Sequence, residues 1–155
     1  MLRLSKKADY ALIAVAHLAR RPGSASAREI AEKYEIPTEL LAKVLQRLVQ
    51  RGLLSSQQGA RGGYQLAHAA AGISVADVIQ AIDGPVSVTA CSAHGDRCSQ
   101  FAKCNVRDPL WRISDIILSA LSKTSVSELA KDVSVPVPHA AHGRPVRIVP
   151  APVRA

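Results

Sequence analysis

The chain of 155 residues has few aromatic side chains, few cysteines and no long apolar run. Aromatic residues make up 3% of the chain, which argues against a stacking platform for single-stranded nucleic acid. The most apolar stretch, residues 10–16, lies between Asp9 and His17 and is much shorter than the roughly 18 residues of a membrane span. A secretory signal is also disfavoured, because Arg20 and Arg21 follow where small cleavage-site residues are expected. We therefore expect a cytoplasmic protein.

Acidic residues are scarce too, and the charge is distributed unevenly. The chain has 20 Lys and Arg residues against 12 Asp and Glu residues, a formal net charge of +8. Residues 1–66 carry +6, residues 67–133 carry −1 and residues 134–155 carry +3. A basic excess concentrated in one half favours a polyanionic partner, because Lys and Arg gain affinity by displacing counterions from phosphates.

Apolar spacing predicts three helices in the first third of the chain. The first covers about residues 5–20. The second opens at Ser26, where Glu29 completes a capping box, and runs to about residue 34. The third ends near Gly52 and carries an apolar stripe formed by Leu41, Val44, Leu45 and Leu48. The second and third helices have helix-turn-helix spacing, which small helical bundles also show.

A glycine-rich hairpin is predicted to follow the third helix. Residues 53–56 and 64–66 are predicted strands, and the segment between them contains three glycines that permit a tight tip. In a winged helix, the third helix enters the major groove and the hairpin tip meets the backbone or the minor groove, where an arginine is favoured. Arg61 is placed for that contact. The expected fold is mainly α with a small β-wing, a winged helix-turn-helix.

The third helix has a polar face that is suited to reading bases. Opposite its apolar stripe stand Glu39, Lys43, Gln46 and Gln50. Glutamine can pair with adenine, lysine with guanine and glutamate with cytosine. The candidates for phosphate contacts are Arg28, Arg47, Arg51, Lys6 and Lys7. The alternative is that this polar face is merely solvated.

Three further helices are predicted in the second half. One is capped by Ser74 and ends at Asp83, and a last short one is capped by Ser125 and reaches about residue 133. Between them, a longer helix covers about residues 109–123 and has a wide apolar arc. A helix that is apolar beyond one stripe needs two packing partners, here its own domain and a second subunit.

All three cysteines fall within one polar segment, as Cys91, Cys98 and Cys104. In the cytoplasm thiols stay reduced, so a disulfide framework is not expected, and clustering in a loop favours a metal centre. Zinc held by the cysteines and His94 is one option, although the usual C-x2-C knuckles are absent. An iron–sulfur cluster tolerates longer spacing but would need a fourth, non-cysteine ligand. The sequence contains no catalytic carboxylate pair, no phosphate-binding loop and no nucleophile motif. We therefore expect neither an enzyme nor a small-molecule substrate.

Residues 1–133 resemble the IscR/NsrR-type family of bacterial winged-helix repressors, and within it the regulators of SUF-system iron–sulfur assembly. The resemblance is carried by the three cysteines with the following Leu110 and Trp111, and by the segments MLRLSKKADYAL (1–12), GARGGYQL (59–66) and ISVADVI (73–79). It implies an iron–sulfur cluster on the cysteines, [2Fe-2S] rather than [4Fe-4S]. It also implies a homodimer formed by the long helix and a double-stranded DNA operator as partner.

Two departures from the family leave the fourth ligand open. The gap between the first two cysteines is one residue longer than in IscR-like members, and Arg107 replaces their histidine. Arg107 is a poor ligand because a guanidinium has no free acceptor pair. NsrR-like members use an N-terminal aspartate of the partner subunit, which Asp9 matches, although Asp9 could instead pair with Lys6. The alternatives to Asp9 are His94, Asp96 and Asp108.

We therefore expect an iron–sulfur-dependent repressor of iron–sulfur assembly genes. Residues 1–133 would form the regulator domain, with the DNA-binding part in residues 1–66 and the cysteine segment and dimerisation helix in residues 67–133. Residues 134–155 contain five prolines and no acid, and are predicted to be a disordered basic tail. The alternatives are a repressor of the same family that senses nitric oxide or redox state, and a zinc-stabilised winged-helix interaction module.

Overall fold

A computed structural model describes residues 4–59, 62–87 and 99–131 of the chain. The elements, in chain order, are α1 (Lys6–Ala19), α2 (Ala27–Tyr34), α3 (Thr38–Gln50), β1 (Leu54–Gln57), β2 (Gly63–Leu66), α4 (Val75–Asp83), α5 (Arg107–Lys123) and α6 (Val126–Leu129). Short 3-10 turns lie at Ala70–Gly72 and Phe101–Lys103. Within the described ranges, no helix is both long enough and apolar enough to cross a bilayer.

The first three helices begin and end at the predicted places. The Ser5 and Ser26 side chains accept hydrogen bonds from the first turns of α1 and α2. Glu35, in the left-handed conformation with φ 54°, ends α2 and starts the turn to α3. The capping box predicted at α2 is only half correct, because the Glu29 carboxylate pairs with Arg21.

The wing is an antiparallel hairpin tied to the turn between α1 and α2. Its register pairs Leu54 with Leu66 at one end and Gln57 with Gly63 at the other. Ala25 extends the sheet, because its N–H and C=O exchange hydrogen bonds of 3.0 and 2.8 Å with Tyr64. A glycine is required beside this bridge, since a Cβ at Gly63 would lie 2.7 Å from the Ala25 carbonyl carbon and oxygen.

One hydrophobic core joins the two halves of the described chain. α1 lies at its centre and packs against α3, α4 and α6. The largest fully buried side chains come from both halves: Val15, Ile30, Leu41, Leu45, Leu48, Ile73, Val78 and Val126. The segments before α4 and α6 also bond to each other, since the Val126 N–H donates to the Ile73 carbonyl at 2.8 Å.

α4 and α6 have the predicted caps, but α6 is shorter than expected. Ser74 and Ser125 each complete a capping box with an acidic residue three positions later. The prediction that α6 reaches residue 133 is wrong, because it ends at Leu129. Arg20 on the α1 side donates to the Leu129 and Ala130 carbonyls and so satisfies the backbone acceptors of the helix end.

α5 packs on the core with one side and leaves apolar residues exposed on another. It begins at Arg107, two residues before the predicted start, and packs mainly against α4. Among its described residues, Ser114 alone is buried. Ile113 and Ile116 are 45% and 68% exposed, and Val106 just before the helix is 55% exposed. An apolar face of this kind is what the predicted dimer needs.

Candidate nucleic-acid interface and cysteine segment

α3 presents the predicted polar face to solvent. Its four aliphatic stripe residues are buried, whereas Glu39, Lys43, Gln46 and Gln50 are exposed. The wing lies directly beside this helix, because β1 follows it after a short turn at Gly52. A protruding polar helix next to a hairpin is the geometry by which a winged helix reaches the major groove.

Two clefts flank the exposed face of α3. The cleft on the side of α1 and α4 has a volume of about 420 Å³ and is lined by Lys7, Leu40, Lys43, Val44, Arg47 and Ile82. The cleft on the side of the wing, of about 290 Å³, is lined by Gln46, Val49, Gln50, Ser56 and Tyr64. Lys43 and Arg47 thus lie on a basic flank of α3, and Gln46 and Gln50 lie on an amide-rich flank.

The two arginines predicted to contact phosphates have different surroundings. Arg47 donates through Nε to the Ala81 carbonyl at 3.1 Å, which ties α3 to the end of α4. Arg28, on α2, forms an exposed ion pair with Glu32 at 2.7 Å. Exposed pairs of this kind contribute little to stability, so Arg28 can exchange its carboxylate for a phosphate. Arg61, the predicted wing-tip contact, lies outside the described residues.

A long-range hydrogen-bonded contact links the start of α1 to the end of α4. The Ser5 hydroxyl donates to Asp83 Oδ1 at 2.5 Å, and the Ser5 N–H donates to Oδ2 at 3.2 Å. The same hydroxyl caps α1 by accepting from the Ala8 N–H. Ser5 and Asp83 are 78 positions apart in the chain. The local sequence around Asp83 therefore indicated a helix end but could not indicate this contact.

A buried histidine joins α1 to α2. His17 is 5% exposed, and its Nδ1 lies 3.2 Å from the Tyr34 hydroxyl. Its Nε2 has no hydrogen-bond partner among the described residues. Burial lowers the pKa of His17, and the positive charges of Lys33 and Arg21 lower it further.

Of the predicted thiol ligands, Cys104 alone falls within the described residues. It is half-buried, carries a free thiol and follows the 3-10 turn Phe101–Lys103. Cys91 and Cys98 lie outside the described residues, as do His94 and Asp96. Within residues 4–59, 62–87 and 99–131, no group of His, Cys, Asp and Glu side chains is arranged to hold a metal ion. A reachable free thiol at Cys104 fits the expected thiolate ligation.

Arg107 holds the turn that precedes Cys104 against α5. Its guanidinium lies over the rings of Phe101 and Trp111, at 4.4 and 5.4 Å from their centroids. Nη1 also donates to the Phe101 carbonyl at 3.1 Å, and Nε donates to Asp108 at 2.7 Å. The hydrogen bond from Arg107 lowers the pKa of Asp108. Arg107 is thus engaged in packing, and its guanidinium also pairs with the Asp108 carboxylate.

Asp9 lies in the first turn of α1. Its carboxylate is 3.7 Å from Lys6 Nζ, the pairing that the sequence offered as an alternative to ligation. The Asp9 side chain is 40% exposed and that of Lys6 is 72% exposed. A pair this exposed is weak, so the Asp9 carboxylate can exchange Lys6 for another partner.

Comparison with known proteins identifies the family. The family model Rrf2, described as an iron-dependent transcriptional regulator, matches residues 4–132. This chain belongs to the Rrf2 family. Together with the relatives and solved structures described next, this match confirms the predicted kinship with IscR-type regulators and the mainly helical winged fold.

Individual Rrf2 relatives cover most of the chain. The HTH-type transcriptional regulator IscR of Xenorhabdus nematophila is 36% identical over 142 residues, which cover 86% of this chain and 82% of the relative. IscR of Escherichia coli is 34% identical over 137 residues, which cover 86% of this chain and 83% of the relative. Because these relatives are transcriptional regulators, the prediction that the chain is not an enzyme is also confirmed.

Solved structures show the same architecture. CymR of B. subtilis, the global cysteine regulator of that organism, superposes with a TM-score of 0.70 at 30% identity and covers 84% of this chain and 97% of its own. IscR of T. potens superposes with a TM-score of 0.67 at 24% identity, with 87% and 93% of the two chains covered. The second match shows a shared fold.

Proposed function

We propose that this Rrf2 regulator is a homodimeric repressor of iron–sulfur assembly genes whose DNA binding depends on an iron–sulfur cluster. The observation that carries the DNA-binding part is the exposed polar face of α3 beside the wing, in the half of the chain with a charge of +6. The protein would act in the cytoplasm, on double-stranded operators. In this proposal residues 1–133 form the regulator domain and residues 134–155 a solvated basic tail.

The DNA contacts come from three elements. α3 enters the major groove with its polar face, α2 supplies a backbone contact, and the wing tip supplies an arginine. The proposed contact residues are Arg28, Glu39, Lys43, Gln46, Arg47 and Arg61. In support of the set, every member that lies within the described residues is exposed.

The proposed cluster ligands are Cys91, Cys98 and Cys104 of one subunit and Asp9 of the other. Three thiols in one segment supply the soft ligands, and the accessible Asp9 carboxylate supplies the oxygen ligand that an incomplete cysteine set needs. A cluster bound there, [2Fe-2S] rather than [4Fe-4S], would connect the two subunits, and oxidants that destroy the cluster would break this connection. Asp9 would then connect the α1 helix of one subunit to the cysteine segment of the other.

The dimer would form through α5. Its exposed face includes Ile113 and Ile116, and Val106 extends the apolar surface at the helix start. Covering this face with a second copy of the helix removes apolar surface from water, which is the main favourable contribution to association.

A nitric-oxide-sensing or redox-sensing repressor is the second candidate function. The observation that favours it is the exposed carboxylate of Asp9, at the position of the partner-subunit ligand in NsrR-like members. Asp9→Ala should shorten the lifetime of the cluster in air without changing DNA contacts, whereas Asp115→Ala, which removes an exposed carboxylate of α5, serves as a carboxylate control. An unchanged cluster lifetime in Asp9→Ala would remove this ligand assignment.

Metal content after anaerobic purification tests the cofactor proposal. A brown protein with iron and acid-labile sulfide is expected. A colourless protein with one zinc ion per chain would contradict the proposal and support the zinc-stabilised module. Duplexes selected from a random-sequence library by the anaerobic protein would then supply the operator for binding assays.

A further inference from the structure

The cleft between α1, α3 and α4 combines three basic side chains with an aliphatic floor. Lys7 contributes from α1, and Lys43 and Arg47 contribute from α3. The floor is formed by Leu40, Val44 and Ile82. None of the three basic residues forms an ion pair with an acidic side chain of the described segments.

Nearby hydrogen bonds fix the geometry of this cleft. Arg47 is held to α4 by its bond to the Ala81 carbonyl, so its guanidinium stays at the cleft wall. Asp83, the acidic residue that ends α4, directs its carboxylate to Ser5. That contact also joins the start of α1, which carries Lys7, to the end of α4. Because the positive charges of Lys7, Lys43 and Arg47 are held close together, they repel one another, and a bound anion would relieve this repulsion.

The position of the cleft on α3 indicates which anion it takes. A helix in the major groove is flanked by two sugar-phosphate backbones. The wing and the amide-rich cleft, with Gln46 and Gln50, occupy one flank of α3. The basic cleft occupies the other flank, where the second backbone would run.

We propose that Lys7, Lys43 and Arg47 form one binding site for a phosphodiester of the operator backbone, and that Lys43 contacts this phosphate rather than a base. This inference rests on the proposed DNA-binding function and deepens it. Base reading on α3 is then left to Glu39, Gln46 and Gln50, which stand nearer the wing flank or the tip of the helix. Of the two α1 lysines that the sequence offered for phosphate contacts, it assigns Lys7 to the same phosphate as Lys43 and Arg47.

The test compares charge-removing variants across a salt series. Lys7→Gln and Lys43→Gln keep most of the side-chain length, Lys123→Gln at the end of α5 is the charge-matched control, and Gln46→Ala is the base-reading comparator. Binding to the selected duplex and to a scrambled duplex is measured between about 50 and 200 mM salt by fluorescence anisotropy. Thermal unfolding of each variant checks that the fold is intact.

The proposal predicts a loss of salt dependence without a loss of sequence preference. In Lys7→Gln and in Lys43→Gln, the slope of log K against log salt should become shallower by about 0.9, and affinity should fall equally for both duplexes. Lys123→Gln should match the wild type. Gln46→Ala should weaken binding to the selected duplex more than to the scrambled one.

Three outcomes would overturn the proposal. Lys7→Gln could behave like Lys123→Gln, or Lys43→Gln could lose preference for the selected duplex with an unchanged salt slope, which would make it a base reader. The variants could also bind the duplexes normally but lose calorimetric binding of inorganic phosphate, which would make the cleft a small-anion site. A wild type that binds both duplexes equally would instead overturn the proposed function itself.

Discussion

Substitution of Gly63 by alanine should detach the wing from the turn between α1 and α2. The added Cβ would lie 2.7 Å from the Ala25 carbonyl, about 0.7 Å closer than ordinary contact at 3.4 Å. Both contacting groups are backbone, so β2 must move away. The two hydrogen bonds between Ala25 and Tyr64, at 3.0 and 2.8 Å, would then stretch past useful length.

The expected cost follows from those two bonds. At about 1 kcal/mol for each, Gly63→Ala should lower the free energy of unfolding by about 2 kcal/mol. Urea denaturation measures this change, and fluorescence anisotropy should show weaker operator binding because the wing no longer holds its position beside α3. Gly72→Ala is the matched control, since a Cβ there meets nothing within 4 Å. Equal stability of Gly63→Ala and Gly72→Ala would refute the reasoning.

Substitutions of His17, Asp83 and Ile116 test three further features of the structure. Burial lowers the pKa of His17 below its ordinary value of 6.5. At pH values between the lowered pKa and 6.5, the imidazole therefore binds a proton in the unfolded chain but not in the folded protein. The free energy of unfolding should therefore fall as pH falls through this window, and urea titrations of His17→Gln should lack that part of the decline; an identical decline would contradict it. Asp83→Asn should weaken the contact with Ser5, and a double-mutant cycle with Ser5→Ala should show a coupling of about 1 kcal/mol, whereas additive effects would contradict the contact. Ile116→Glu should give a monomer by analytical ultracentrifugation while Ser122→Glu stays dimeric, and a dimeric Ile116→Glu would place the interface elsewhere.

Helix boundaries could be predicted because their signals are local. Ser5, Ser26, Ser74 and Ser125 each accept a hydrogen bond from the N–H three residues later, as serine does at a helix start. Gly52 adopts φ 74° after α3, as the sequence indicated. The polar face of α3 was predictable for the same reason, since it follows from the helical period alone.

The features that the sequence did not predict depend on contacts between residues that are distant in sequence. The Glu29 carboxylate does not complete the capping box of α2 because it pairs with Arg21. α6 ends earlier than predicted, at the point where Arg20 donates to the Leu129 and Ala130 carbonyls. The sequence showed Arg107 to be a poor ligand, but only the folded chain shows it stacked on Phe101 and Trp111. Likewise, Lys43 joins Lys7 in a cleft only once α1 and α3 are packed.

The central claim is that the cysteine segment controls DNA binding. Its most direct test is the affinity of the anaerobically purified protein for a selected operator, before and after removal of the cluster with a chelator, at one fixed salt concentration. We expect the two affinities to differ by about 5-fold to 150-fold, the usual range for coupling between two sites. Equal affinities of the two forms would contradict cluster-dependent regulation.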